Sequence, residues 1–299
     1  MALPPETRPT DTGVIHDIGY RGYAGPRLGR AYATRALFTQ SLRAAYGLGR
    51  SGKSKVLPMI VLGVITLPAV IFVAVAIVTK REELPIEYTG YLSNFSLVVS
   101  VFLASQAPVL LSRDLRYLTV PLYFSRPITH SDYVRAKFGA MACAQLLLMT
   151  APLLVLYVGS LLSGMDFGHN TGHFLYGLAA AVMYALVPTS VAVLIAATTP
   201  RRGFGVAAIM GYLTVSAALG AIAVGISNPY NGGSDAAQWT SLISPTELVD
   251  ALVNELFGLG EGFDRRHAPG GLGLVVFALV AVAMVAGSYR LLLRRYSRV

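Results

Sequence analysis

Gly47-Leu48-Gly49-Arg50-Ser51-Gly52-Lys53-Ser54 spells, letter for letter, the glycine-rich turn G-x-x-x-x-G-K-[ST] that cradles nucleotide phosphates. Such a turn works when a buried strand feeds it and a helix N-terminus behind it faces the phosphates. Here a basic amphipathic segment precedes the turn, and an apolar run begins within two positions of it, so no parallel sheet has room to form. The expectation is a juxtamembrane turn whose Lys53 and Lys55 reach toward phosphate headgroups. Asp166-Phe167-Gly168 spells the kinase metal triplet, but in a short loop without a catalytic loop or a lysine strand. His169 and His173 share a helix face at i and i+4, with Asp166 nearby. A metal site needs more ligands and a fixed outer shell, so neither metal nor cofactor is expected on this chain. The single cysteine, Cys143, rules out an internal disulfide and a cysteine-based metal site.

The elements around these motifs define the solvent. Six long apolar runs fill most of the 299 residues, at roughly 56–78, 91–111, 138–162, 174–198, 204–226 and 270–289, and none contains Asp, Glu, Lys or Arg. About 20 apolar helical residues cross a bilayer, and helices satisfy their backbone locally inside lipid. The mean hydropathy of +0.58 agrees. The expected fold class is an all-α integral membrane protein with six transmembrane helices, divided into a cytoplasmic tail and interfacial helix at 1–55 and a six-span domain at 56–299. About 55 residues precede the first run, which argues against a cleavable signal.

The net charge of +9 is distributed by topology. With the N-terminus in the cytoplasm, 20 of the 24 Lys and Arg fall on the cytoplasmic side, and Lys80, Arg81, Arg265 and Arg266 fall outside. This is the positive-inside bias of a multi-pass protein of the cell (cytoplasmic) membrane with both termini inside. Basic charge then meets anionic lipid, a membrane-lipid partner, and argues against nucleic acid.

Before the first run, Phe38, Leu42 and Ala45 repeat at helical spacing between Arg35 and Arg43, which describes an N-terminal interfacial amphipathic helix. Gly47 and Gly49 can end it. The tail at 13–29 interleaves Tyr20 and Tyr23 with Arg21 and Arg27, a solvated tail at the headgroups or, less simply, a docking strand. Inside the spans the polar residues are neutral. Gln106, Gln145, Tyr184, Thr189 and Tyr212 are the candidates for a weak substrate path, although interhelical hydrogen bonding is the commoner use. The absence of ionisable groups in the runs argues against an ion-coupled carrier. Ser244-Pro245-Thr246-Glu247 forms a capping box with proline at the first helical position. Leu248, Val249, Leu252, Val253 and Leu256 make one face of the helix that follows, with Gly258 at its end. At about 13 residues, or roughly 20 Å, that helix is too short to span.

The connection at 112–137 is the most specific stretch. It carries Arg113-Asp114, a short apolar helix limited by Pro121 and Pro127, the phrase Ser125-Arg126-Pro127-Ile128, and Tyr133-Val134-Arg135-Ala136-Lys137 at the start of the third span. Thr129 or Ser131 can cap that span, with Asp132 favourable in its first turn. In these features the chain resembles the permease subunit of ABC-2-type transporters. The resemblance implies that 114–123 forms one coupling helix docking on a separate cytoplasmic ABC ATPase. Arg113, Asp114, Arg116, Tyr117, Leu118 and Tyr123 would be its coupling residues, although the run Asp114-Leu115-Arg116-Tyr117-Leu118 departs from the Glu-Gly-Thr-Leu of many relatives. It implies that Arg35, Phe38, Leu42 and Arg43 belong to a connecting helix. It also implies a short re-entrant external helix before the last span, with Ser244, Glu247, Leu252 and Leu256. ATP and Mg would be bound by the partner ATPase, and a second permease copy or a paralogous permease would complete the pore. Export of an apolar or amphipathic substrate is the expected activity. A self-contained secondary transporter or channel, a membrane-embedded enzyme and an assembly subunit are the rivals.

Overall fold

In the computed structural model, residues 19, 25, 28–125, 128–227, 238–257 and 268–298 are described. The tail residues Tyr20, Arg21, Tyr23 and Arg27, the Arg126-Pro127 pair and Gly258 lie outside them. Among the described residues the chain is all helical: α1 (Arg30–Ala45), α2 (Gly52–Val78), α3 (Tyr88–Asn94), α4 (Ser96–Leu110), α5 (Ser112–Arg116), α6 (Val120–Phe124), α7 (His130–Leu162), α8 (Phe167–Thr198), α9 (Arg202–Ser227), a 3-10 turn (Thr240–Ile243), α10 (Pro245–Phe257) and α11 (Gly270–Tyr296). Six helical segments are long and apolar enough to cross a membrane.

The segment containing α4 is 72% buried in its most apolar window, whereas α11 is 11% buried and α2 and α9 are 22% buried. So α4 is the central post, packed on α7, α8 and α9. α2, α9 and α11 turn residues such as Ile60, Leu67, Leu219, Leu272 and Leu279 outward, as lipid permits.

The second run departs from expectation. Instead of one helix over 91–111, the chain breaks at Phe95 (φ −98°, ψ 11°) between α3 and α4. The break falls in Ser93-Asn94-Phe95-Ser96, where short polar side chains compete for backbone groups. Asn94 Nδ2 donates to the Gly90 carbonyl, and Ser100 Oγ donates to the Ser96 carbonyl.

α1 lies along the start of α7. Arg30 meets Asp132, Phe38 lies by Gly139, and the Tyr46 hydroxyl donates to the Ala144 carbonyl at 2.7 Å. These contacts advance in the same direction on both helices, so the two run parallel. The buried line is Leu37, Ser41 and Ala45, with Phe38 and Leu42 only flanking it. The expectation of a Phe38–Leu42–Ala45 seam is therefore shifted by one position, because small Ser41 and Ala45 let the helices approach closely.

The phosphate-loop letters form a corner. Gly47 sits at φ +68°, its N–H donates to Ala44, and the Leu48 N–H donates to Arg43, which together close α1 as a Schellman motif. A Cβ at Gly47 would stand 2.4 Å from the Ser54 carbonyl oxygen. Gly47→Ala is therefore expected to cost at least about 1–2 kcal/mol, seen as a lower thermal midpoint in detergent. Gly49→Ala, at φ +80° with open space around it, should cost less. Equal effects at both glycines would refute the close-approach argument.

Candidate functional site

The basic residues gather where α2 and α9 begin and where α4 and α11 end, and this basic end carries the connection between the second and third spans. The resemblance implied one helix over 114–123. The chain forms two short ones, α5 and α6, joined through Leu118 at φ +52°. Pro121 explains the split, because its ring cannot continue a helix from Asp114 but suits the first turn of a new one. The Leu118 N–H donates to Leu115 and the Thr119 N–H donates to Asp114, a Schellman closure with leucine in the position that favours glycine. Leu118 is 78% exposed, and Arg113, Arg116, Tyr117 and Leu122 are exposed beside it, with Tyr123 half-buried.

Asp114 behaves differently from its neighbours. Its carboxylate turns inward to Lys137 Nζ at 2.8 Å and accepts from the Tyr133 hydroxyl at 2.9 Å. Lys137 is buried, also donates to the Leu110 carbonyl at 2.9 Å, and lies over the rings of Tyr123 and Tyr133. Tyr133 packs in turn on Tyr296 of α11. The Tyr133-x-x-x-Lys137 spacing thus has a physical basis: residues at i and i+4 share one helix face, and both engage the carboxylate that holds α5. The Ser112 hydroxyl fastens the same segment to α8 through the Ala196 carbonyl. Asp114 is accordingly a positioning residue, and the outward surface belongs to Arg113, Arg116, Tyr117, Leu118 and Leu122.

The third span begins as a capped helix. Thr129 and Asp132 form a reciprocal capping box, and Arg30 closes over it with Nε 2.5 Å from Asp132. That contact holds the Arg30 pKa above its ordinary value. Connecting-helix residues Arg35 and Arg43 remain exposed on α1.

At the other end, α10 buries Leu248, Val249, Leu252 and Val253 of the expected apolar face, whereas Asp250, Asn254 and Glu255 are half-buried. Thr246 and Glu247 also lie inside, while Leu256 is 46% exposed. Glu247 occupies the space that Gly220 of α9 leaves by lacking a side chain. The Tyr184 hydroxyl of α8 donates to Asp250, and Phe257 stacks on Tyr176. Tyr184 lies 17 residues into α8, about 26 Å along its axis. The apolar runs themselves hold no ionisable group, yet α10 carries two carboxylates into the body of the bundle. Ser244 pairs its hydroxyl with Thr246 at 2.9 Å.

The proposed path residues scatter. Gln145 and Thr189 are fully buried, Gln145 donating weakly to the Val99 carbonyl. Gln106 is buried and lines a cavity at the basic end. Tyr184 holds α10, and Tyr212 is 38% exposed on α9. Asp166 caps α8 by accepting from the His169 N–H, and His173 engages the His169 carbonyl, so the Asp166 and His173 side chains already serve the start of α8.

Central α4, the lipid-facing α2, α9 and α11, and a segment held between spans define a multi-pass, all-α membrane protein. Its residues 109–297 match the family model described as ABC-2 family transporter protein, and the chain belongs to that family. It is the permease of an ABC-2-type transporter. No curated protein matches the chain.

Proposed function

We propose that this permease moves an apolar or amphipathic substrate outward across the cytoplasmic membrane, driven by ATP that a separate cytoplasmic ABC ATPase hydrolyses with Mg. The single observation that carries this reading is the exposed Tyr117–Leu118–Leu122 tip, which a buried ion pair fixes to α7. A rigid, partly apolar projection at the basic end suits docking into a groove of a motor. Closure of two motors would then tilt rigid spans around a shared cavity, with a second copy or a paralogous permease opposite. Both termini lie on the motor side in this reading.

The test is affinity capture of the chain from its native membranes, followed by transport in liposomes with and without the captured ATPase. ATP-dependent transport that needs the ATPase supports the reading. Substrate flux without any ATPase sinks it. One observation favours a second reading as an ion-coupled carrier, namely the depth of Glu247 and Asp250. In that case Asp250→Asn would abolish an ATPase-independent flux.

A further inference from the structure

A cavity of about 570 Å³ opens at the basic end, where the corner before α2, the α4–α5 junction and the start of α9 meet. Its volume falls in the range of about 300–1,000 Å³ typical of small-ligand sites. Arg50, Lys53, Arg113, Arg116 and Arg202 line it, and among the described residues no carboxylate does. The two ion pairs found among the described residues lie elsewhere, at Arg30–Asp132 and Lys137–Asp114. The acid that acts on Arg50, Asp114, is thereby committed to Lys137. Burial first, and then Arg113 and Arg202, hold the Arg50 pKa below its ordinary value. Five cations lining one concave site make a surface complementary to an anion. The start of α2 adds its helix dipole, since Ser51 at its N-cap lines the same cavity and its side chain does not cap the backbone N–H groups there, pairing instead with the Ser54 hydroxyl at 3.3 Å.

We infer that this cavity binds a phosphate group, supplied by the headgroup of an anionic phospholipid. Arginine forks and a lysine ammonium are the groups that grip phosphate oxygens. The lipid source follows from the walls. Leu57 also lines the cavity and continues into the outward apolar face of α2 with Val56 and Ile60, where acyl chains can lie while the headgroup turns inward. The inference needs no ATPase, so it stands or falls separately from motor docking.

The experiment measures thermal stabilisation of the purified full chain by short-chain phosphatidylglycerol, with phosphatidylcholine and inorganic phosphate as separate arms. The test variant is Lys53→Gln with Arg202→Gln, since neither belongs to the coupling segment. Both side chains are exposed, so the fold should survive. The control is Arg294→Gln with Arg298→Gln, which lie outside the cavity. Phosphatidylglycerol should stabilise the chain and phosphatidylcholine should not. The test variant should bind roughly tenfold more weakly, and the control should match the parent. Stabilisation by inorganic phosphate equal to that by lipid, lost in the same variant, would confirm the phosphate site and assign it a soluble ligand. Equal lipid binding by test variant and parent, or equal loss in the control, would overturn the inference. Loss of ATPase capture in the test variant with lipid binding unchanged would overturn it too, in favour of a protein contact.

Discussion

Lys137→Met should lower the stability of this permease by about 3 kcal/mol, the largest single effect expected from any exchange at the basic end. The change leaves the Asp114 carboxylate, 16% exposed, without its ammonium partner. It also removes the donor to the Leu110 carbonyl and the cation over two tyrosine rings. Breaking one side of a buried pair is costly, whereas replacing both sides with apolar groups can be nearly neutral. Asp114→Leu combined with Lys137→Met should therefore recover most of the loss. Chemical unfolding in detergent measures both variants. A double variant no more stable than Lys137→Met alone would show that the pair is not the source of the effect.

Leu118→Gly should separate stability from coupling. Leucine at φ +52° carries a backbone cost of about 1 kcal/mol that glycine avoids. The Schellman hydrogen bonds at Leu118 and Thr119 are backbone contacts and survive the exchange. The variant should thus be at least as resistant to heat as the parent. Yet it deletes an apolar side chain exposed at the tip, and ATPase capture should fall about tenfold or more, as for an anchor residue of an interface. Unchanged capture would move the docking surface away from this tip. The opposite signs of the two readouts matter, because a merely unfolded variant would lose both.

The spans were legible because an apolar run of sufficient length leaves the chain no other solvent. Details within them depended on competition that hydropathy does not register. The break at Phe95 falls where the Asn94 side chain bonds the Gly90 carbonyl, inside a run that is apolar on average. Tyr133 and Lys137 stood out as a spacing, but their partner lies 23 residues earlier than Lys137, and such a pairing is a tertiary fact. The connection at 114–123 was expected as one helix, whereas its division into α5 and α6 follows from one proline that had been read only as a boundary. The short helix before the last span was legible as a re-entrant element, but its contacts were not. A glycine on a neighbouring helix makes room for its glutamate, and a tyrosine reaches its aspartate. Neither neighbour carries a local signal. The basic cavity was hidden for a similar reason, since Arg50, Arg113 and Arg202 are far apart in sequence and nothing local says that they meet.

The 33-residue α7 begins beside the exposed Tyr117–Leu118–Leu122 tip, and Lys137 clamps it to α5. It contains one proline, Pro152. Below that residue lies an uninterrupted arm of about 33 Å. A tilt of about 10° imposed at the base would sweep the joint through roughly 6 Å, while the shorter upper arm could swing independently because proline weakens the helix there. In the proposed reading α7 is a crank with an elbow: a small rotation that a motor imposes at the basic end would become an ångström-scale stroke at Pro152, near the level where Leu153 meets Gly177 of α8.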